Sequence, residues 1–134
     1  MTQLLTLIRT YWVALTLLLL AMICFLSLYP LDALPPVPGT DKTHHFLAYF
    51  ALVTPMALRK PARWPVFVLL FIGIGGCIEL IQPFLNRYGE WLDLTANVSG
   101  VVCGFVFAQI VNRFFPDITP QKIEYTKPQV VERD

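Results

Sequence analysis

Residues 11–29 read Tyr11-Trp-Val-Ala-Leu-Thr-Leu-Leu-Leu-Leu-Ala-Met-Ile-Cys-Phe-Leu-Ser-Leu-Tyr29, an apolar run with no charge after Arg9. A helix crossing the hydrocarbon core of a bilayer needs about 20 mostly apolar residues, and this stretch meets that need. It exceeds the apolar core of a signal peptide, and no Ala-x-Ala-like cleavage site follows, so it reads as an uncleaved anchor. The fold class turns on this segment.

Three further segments match it in whole or part. Residues 41–58 are apolar from Phe46 onward but open with Asp41, Lys42, His44 and His45. Residues 64–84 run from Trp64 through Gly73, Gly75 and Gly76 to Glu79 and Gln82. Residues 91–114 run from Trp91 to Phe114, with Asp93 and Asn97 near the start. Breaks separate them: Pro35-Pro36-Val37-Pro38-Gly39, Arg59-Lys60-Pro61-Ala62-Arg63 and Asn86-Arg87-Tyr88-Gly89. Proline ends a helix because it lacks the N–H the next hydrogen bond requires.

Composition agrees. The 134 residues are 56% hydrophobic and only 14% charged, against about 25% charged in a typical soluble domain. Mean hydropathy is +0.61. The expected fold is all-α: a polytopic membrane protein, a four-transmembrane-helix bundle with both termini cytoplasmic. One domain spans 1–115, with helices near 11–29, 41–58, 64–84 and 91–114; the polar, proline-bearing stretch 116–134 reads as a flexible cytoplasmic tail. A net charge of +1 without a basic run gives no support for nucleic acid as a partner. Cys24, Cys77 and Cys103 all lie in apolar segments without metal-ligand spacing and read as packing residues.

Lysine and arginine set the direction. With four spans, one side holds Arg9, Arg59, Lys60, Arg63, Arg113, Lys122, Lys127 and Arg133, eight of the ten basic residues. The other holds Lys42 and Arg87. The first side is therefore cytoplasmic, and a multi-pass protein of a bacterial cytoplasmic (inner) membrane is expected.

That topology sends the polar residues to one face. Helix two starts at the outer side, helix three ends there, and helix four starts there. At about 1.5 Å per residue, His45, Glu79 and Asn97 each lie about 8–9 Å below the outer border. Asp41, Lys42, Gln82 and Asp93 lie shallower. Residues three and four apart share a helix face. Asp41, His45 and Tyr49 thus form one stripe, Glu79 and Gln82 a second, and Asp93 and Asn97 a third that continues into Gly100 and Gly104. Small residues at that spacing let membrane helices approach closely, and Gly73, Gly75 and Gly76 suggest the same for helix three.

Each residue also has a plainer role. Asn97 and Gln82 can simply join helices by hydrogen bonds. Asp41 can be an N-cap, Asp93 can complement the helix dipole, and Lys42 and Arg87 can snorkel to headgroups. His45 and Glu79 resist such readings, because ionisable groups at that depth are costly and usually line a cavity.

The order Asp41-Lys42-x-x-His45-Phe46-x-Ala48-Tyr49-Phe50, Glu79-x-x-Gln82 and Arg87-x-x-Glu90-x-x-Asp93-x-x-x-Asn97-x-x-Gly100-x-x-x-Gly104 resembles the VanZ-like family of small bacterial membrane proteins. The resemblance spans residues 41–104 and, with the first helix, nearly all the expected ordered chain. It implies an integral membrane protein whose namesake is associated with resistance to the glycopeptide teicoplanin. It supplies no reaction. Glycopeptides act on cell-wall precursors at the outer surface of the cytoplasmic membrane, the side on which the polar clusters are expected.

Two kinds of function remain open at this point. In one, His45, Glu79 and Asp93 are catalytic, with His45 as general acid or base beside a carboxylate. Lys42 and Arg87 would hold an anionic group of a lipid-linked envelope precursor, while Asp41, Tyr49, Gln82, Glu90 and Asn97 complete the binding site. No Gly-x-Ser-x-Gly, His-Glu-x-x-His or phosphate loop is present to name a reaction. A metal held by His45, Glu79 and Asp93 fits on ligand type, but no metal and no cofactor is assigned. In the other, the same residues bind membrane lipids or a membrane-protein partner, a second copy included, or form an interhelical ion-pair network. Four short helices without a repeat offer little for alternating access.

Overall fold

The computed structural model describes residues 2–29, 40–85 and 90–116. The expected linkers over 35–39 and 86–89, and the tail beyond 116, lie outside them. Five α-helices follow in order: α1 Thr2–Thr10, α2 Trp12–Leu28, α3 Asp41–Arg59, α4 Trp64–Ile81 with a 3-10 turn Gln82–Leu85, and α5 Trp91–Phe114. No strand occurs among the described residues.

The additional helix, α1, is joined to α2 at Tyr11 with a bend of 74°. Nothing at Thr10-Tyr11 is a helix breaker, so tertiary contact holds the bend. Arg9, only 4% exposed, donates to the Asn112 side-chain oxygen at 2.7 Å and to the carbonyls of Phe115 and Pro116. Those carbonyls end α5, where a helix has unpaired acceptors and partial negative charge. A straight α1–α2 rod could not deliver the guanidinium there.

α3 is the central helix. Leu52, Val53, Met56 and Ala57 are fully buried, and α3 contacts α1, α2, α4 and, most extensively, α5. Its N-cap is Thr40, whose side chain accepts from the Thr43 N–H; Asp41 is the first helical residue rather than the cap. At the far end Lys60 adopts φ 49°, its N–H returning to Met56 O at 2.8 Å, and Pro61 stops continuation. The expected role of Gly100-x-x-x-Gly104 holds: a Cβ at Gly104 would lie 2.6 Å from Val53 Cγ1 and 2.7 Å from Phe50 O. The backbones of α3 and α5 touch there. In α4 only Gly75 does such work, its built Cβ lying 2.9 Å from the Tyr49 hydroxyl; Gly73 and Gly76 face open space.

Trp64–Leu85 and Trp91–Phe114 are long and apolar enough to cross a membrane, and the bent α1–α2 pair is a third candidate. α3, at 19 residues, is shorter, and its polar first turn lowers its hydropathy. The other helices cover it instead. Outward faces carry Leu17, Leu18, Phe25, Leu69, Leu70, Val102, Val106 and Ile110, all exposed. An apolar exterior of this extent suits lipid rather than water.

Candidate functional site

The first turns of α3 and α5 meet the last turn of α4 at one end of the bundle. Close α3–α5 packing at Gly100 sets His45 against Asn97, with His45 Nδ1 3.1 Å from Asn97 Oδ1. Glu79 of α4 approaches the same nitrogen, Oε1 to Nδ1 3.7 Å. The Asn97 oxygen accepts from Nδ1–H in the tautomer that this contact favours, with the Glu79 carboxylate on the same side of the ring. Nε2 then faces Asp41, whose Oδ1 lies 3.8 Å away.

Around this pair the remaining groups close in. Lys42 Nζ donates to Glu90 Oε2 at 2.7 Å and lies 3.4 Å from Asp93 Oδ1. The Glu90 N–H donates to Glu79 Oε2 at 3.3 Å. Tyr49, one turn below His45, places its hydroxyl against Gly75, where a larger residue would collide with it and with Asn97. Relative exposure is 8% for His45, 7% for Glu79, and 1% for Tyr49, Asp93 and Asn97. Asp93 is covered although it lies in the first turn of α5, with Lys42 Nζ of α3 3.4 Å from its Oδ1.

Every acid among the described residues belongs to this cluster: Asp41, Glu79, Glu90 and Asp93. Lys42 is the only lysine or arginine they show there. Three buried oxygens have no hydrogen-bond partner in the cluster: the Tyr49 hydroxyl, Glu79 Oε1 and Asp93 Oδ1. Buried polar atoms are normally paired, so these three leave the cluster with unmet bonding capacity; Arg9 Nε, Thr16 Oγ1 and Gln82 Oε1 are buried without a hydrogen bond elsewhere.

Of the ten candidate residues, eight are joined here. Gln82 is buried but turned aside, its Nε2 donating to Ser27 O of α2 at 3.2 Å. It ties two helices together, the plainer of its two roles. Arg87 lies outside the described residues. Sequence reasoning missed a groove beside the cluster, a cavity of about 160 Å³ lined by Gly76, Glu79, Leu80, Pro83, Glu90 and Trp91. Its walls are mostly apolar and Glu79 and Glu90 are its polar part. Gly76, vacant of neighbours, was the signal: a glycine read as a helix contact instead leaves room.

A family model described as VanZ/LLP1 matches residues 3–112, from α1 into the last turns of α5. Comparison with curated proteins gives no match, and comparison with solved structures gives none.

Proposed function

The chain belongs to the VanZ/LLP1 family, and from that premise we propose that its polar pocket binds or acts on an anionic lipid-linked or cell-envelope ligand at the outer face of a bacterial cytoplasmic membrane. The protein is multi-pass in this reading, with four spans: α1–α2 as one bent span, then α3, α4 and α5. Both termini are cytoplasmic. Eight of the ten basic residues then fall on the inner side, and the pocket opens outward.

One observation carries the proposal. His45, Glu79, Asp93 and Asn97 come from three helices, converge in a buried cluster, and leave Glu79 Oε1 and Asp93 Oδ1 without hydrogen bonds, with Glu79 also lining an apolar groove. A ligand with a polar head and a hydrocarbon chain fits both parts: the chain along Gly76, Leu80, Pro83 and Trp91, the head against Glu79 and His45. With Nδ1 held by Asn97, His45 presents Nε2 on the Asp41 side for a ligand group. The link between the family's namesake and teicoplanin makes lipid-linked wall precursors the first ligands to try.

A second reading also has specific support. His45–Asn97, Lys42–Glu90 and Gln82–Ser27 each join different helices. An interhelical network of that kind fixes register without binding anything.

The groove separates the two. Gly76 has no neighbour within 4 Å of a built Cβ, so Gly76→Leu fills the groove without disturbing the bundle. Mass spectrometry of lipids co-purified with the full chain should show a selected species in wild type and in Gly73→Leu, lost in Gly76→Leu at equal folded yield. Bulk membrane lipids in all three would refute ligand binding and leave the network.

A further inference from the structure

We infer that Asp41, His45 and Asp93 form a binding site for one divalent transition-metal ion, of the Mn²⁺ or Zn²⁺ class, at the mouth of the pocket. The inference rests on the pocket proposed above and adds to it an ion suited to an acid-rich cluster. One ligand atom from each of the three residues lies within 4.8 Å of the others. A metal about 2.1 Å from nitrogen and oxygen donors sets them roughly 3–4 Å apart. The exposed Asp41 side chain needs only a small rotation to close the difference.

Two independent observations point to a ligand rather than to an acidic patch. Asp93 is 1% exposed and its Oδ1 has no hydrogen-bond partner, the nearest cation being Lys42 Nζ at 3.4 Å; a metal ion would satisfy that oxygen at bonding distance. The second is the orientation of His45. Metal-binding histidines usually donate the N–H of the nitrogen that does not bind the metal, which fixes the ring and its tautomer. Here Asn97 Oδ1 takes that role at Nδ1, with Glu79 Oε1 3.7 Å away, leaving the Nε2 lone pair on the Asp41 side. Glu79 thus lies on the far edge of the ring and orients the ligand rather than joining it.

Charge supports the same conclusion. Among the described residues four carboxylates meet one ammonium, leaving an excess of three negative charges when His45 is neutral. A divalent ion reduces that excess to one. Two carboxylates and an imidazole suit Mn²⁺ or Zn²⁺, and three protein donors leave coordination positions open for the ligand. Lys42, 3.4 Å from Asp93 Oδ1, competes with the ion, so its removal should strengthen binding.

The full chain, purified in detergent and stripped with chelator, is titrated with Mn²⁺, Zn²⁺ and, as comparison, Mg²⁺, with bound metal counted by mass spectrometry after equilibrium dialysis. One Mn²⁺ or Zn²⁺ per chain is expected. Asp41→Asn and Asp93→Asn should each weaken binding at least tenfold, and Lys42→Met should tighten it several-fold. Spin-echo spectroscopy of bound Mn²⁺ should show ¹⁴N coupling that His45→Gln removes. Because Asp41 is exposed, Asp41→Asn tests the site even where a buried variant folds poorly. Absence of saturable binding in wild type, or Asp41→Asn binding as wild type does, overturns the inference. If the groove still retains its lipid in that case, the pocket stands without the ion.

Discussion

Replacing Gly100 by alanine should loosen the bundle and the pocket together. A Cβ there would sit 3.0 Å from Phe50 N and closer still to the Phe46 carbonyl oxygen. Ordinary non-bonded contact is about 3.5–4.0 Å, so α5 must retreat from α3 by about 1 Å. Both obstacles are backbone and cannot rotate away. Alanine gains up to about 1 kcal/mol over glycine in helix propensity, whereas overpacking costs about 1–3 kcal/mol. The upper end applies to a backbone clash, leaving Gly100→Ala about 1–2 kcal/mol less stable. At Gly73 and Gly76 nothing lies within 4 Å, so alanine should there be neutral or stabilising by up to about 1 kcal/mol. Opposite signs in one protein are the signature. Thermal unfolding in detergent, followed by circular dichroism, reads stability, and co-purified lipid reads the pocket. A retreat of that size would stretch the 3.1 Å His45–Asn97 hydrogen bond beyond bonding range, so Gly100→Ala should also retain less lipid below its melting point. Gly100→Ala as stable as Gly73→Ala would refute the α3–α5 contact as the device that builds the site.

Other perturbations have equally definite outcomes. Arg9→Met leaves the α5 carbonyls and Asn112 without their buried donor and should cost about 2–3 kcal/mol in thermal unfolding; an unchanged melting temperature would deny the anchoring role. Glu90→Gln breaks an ion pair with Lys42 whose side chains are 49% and 43% exposed, so it should change stability by less than about 1 kcal/mol. In a background lacking Cys24, Cys77 and Cys103, cysteines at positions 37 and 87 should react with an impermeant reagent from outside, and one at position 61 only after permeabilisation. Labelling of position 61 from outside would reverse the topology.

How much of this was legible in the residues follows from physical range. Helix spacing made the stripes visible: Asp41, His45 and Tyr49, or Asp93 and Asn97, share a face by arithmetic. The apolar run and its borders gave α2, α4 and α5 closely. Contacts between helices were less accessible. The i, i+4 glycines of α5 pointed to a close approach but named no partner, and the glycines of α4 looked alike although only Gly75 meets a neighbour. α1 escaped because its bend is held by Arg9 reaching the end of α5, more than a hundred residues away in sequence. Local pattern carries no trace of such a contact. The burial of Asp93 and the rotation of Gln82 toward Ser27 were hidden for the same reason. Depth along a helix does not say which neighbour covers a side chain.

The central claim is that the buried polar groups bind something rather than merely lock helices together. His45→Gln and Glu79→Gln test it most directly, each scored for monodisperse yield in detergent and for the lipid species retained. Both variants keep hydrogen-bonding capacity and remove a titrating group. Wild-type yield with the selected lipid lost is the predicted result. Collapsed yield in both, with whatever folds still carrying the same lipid, would contradict it.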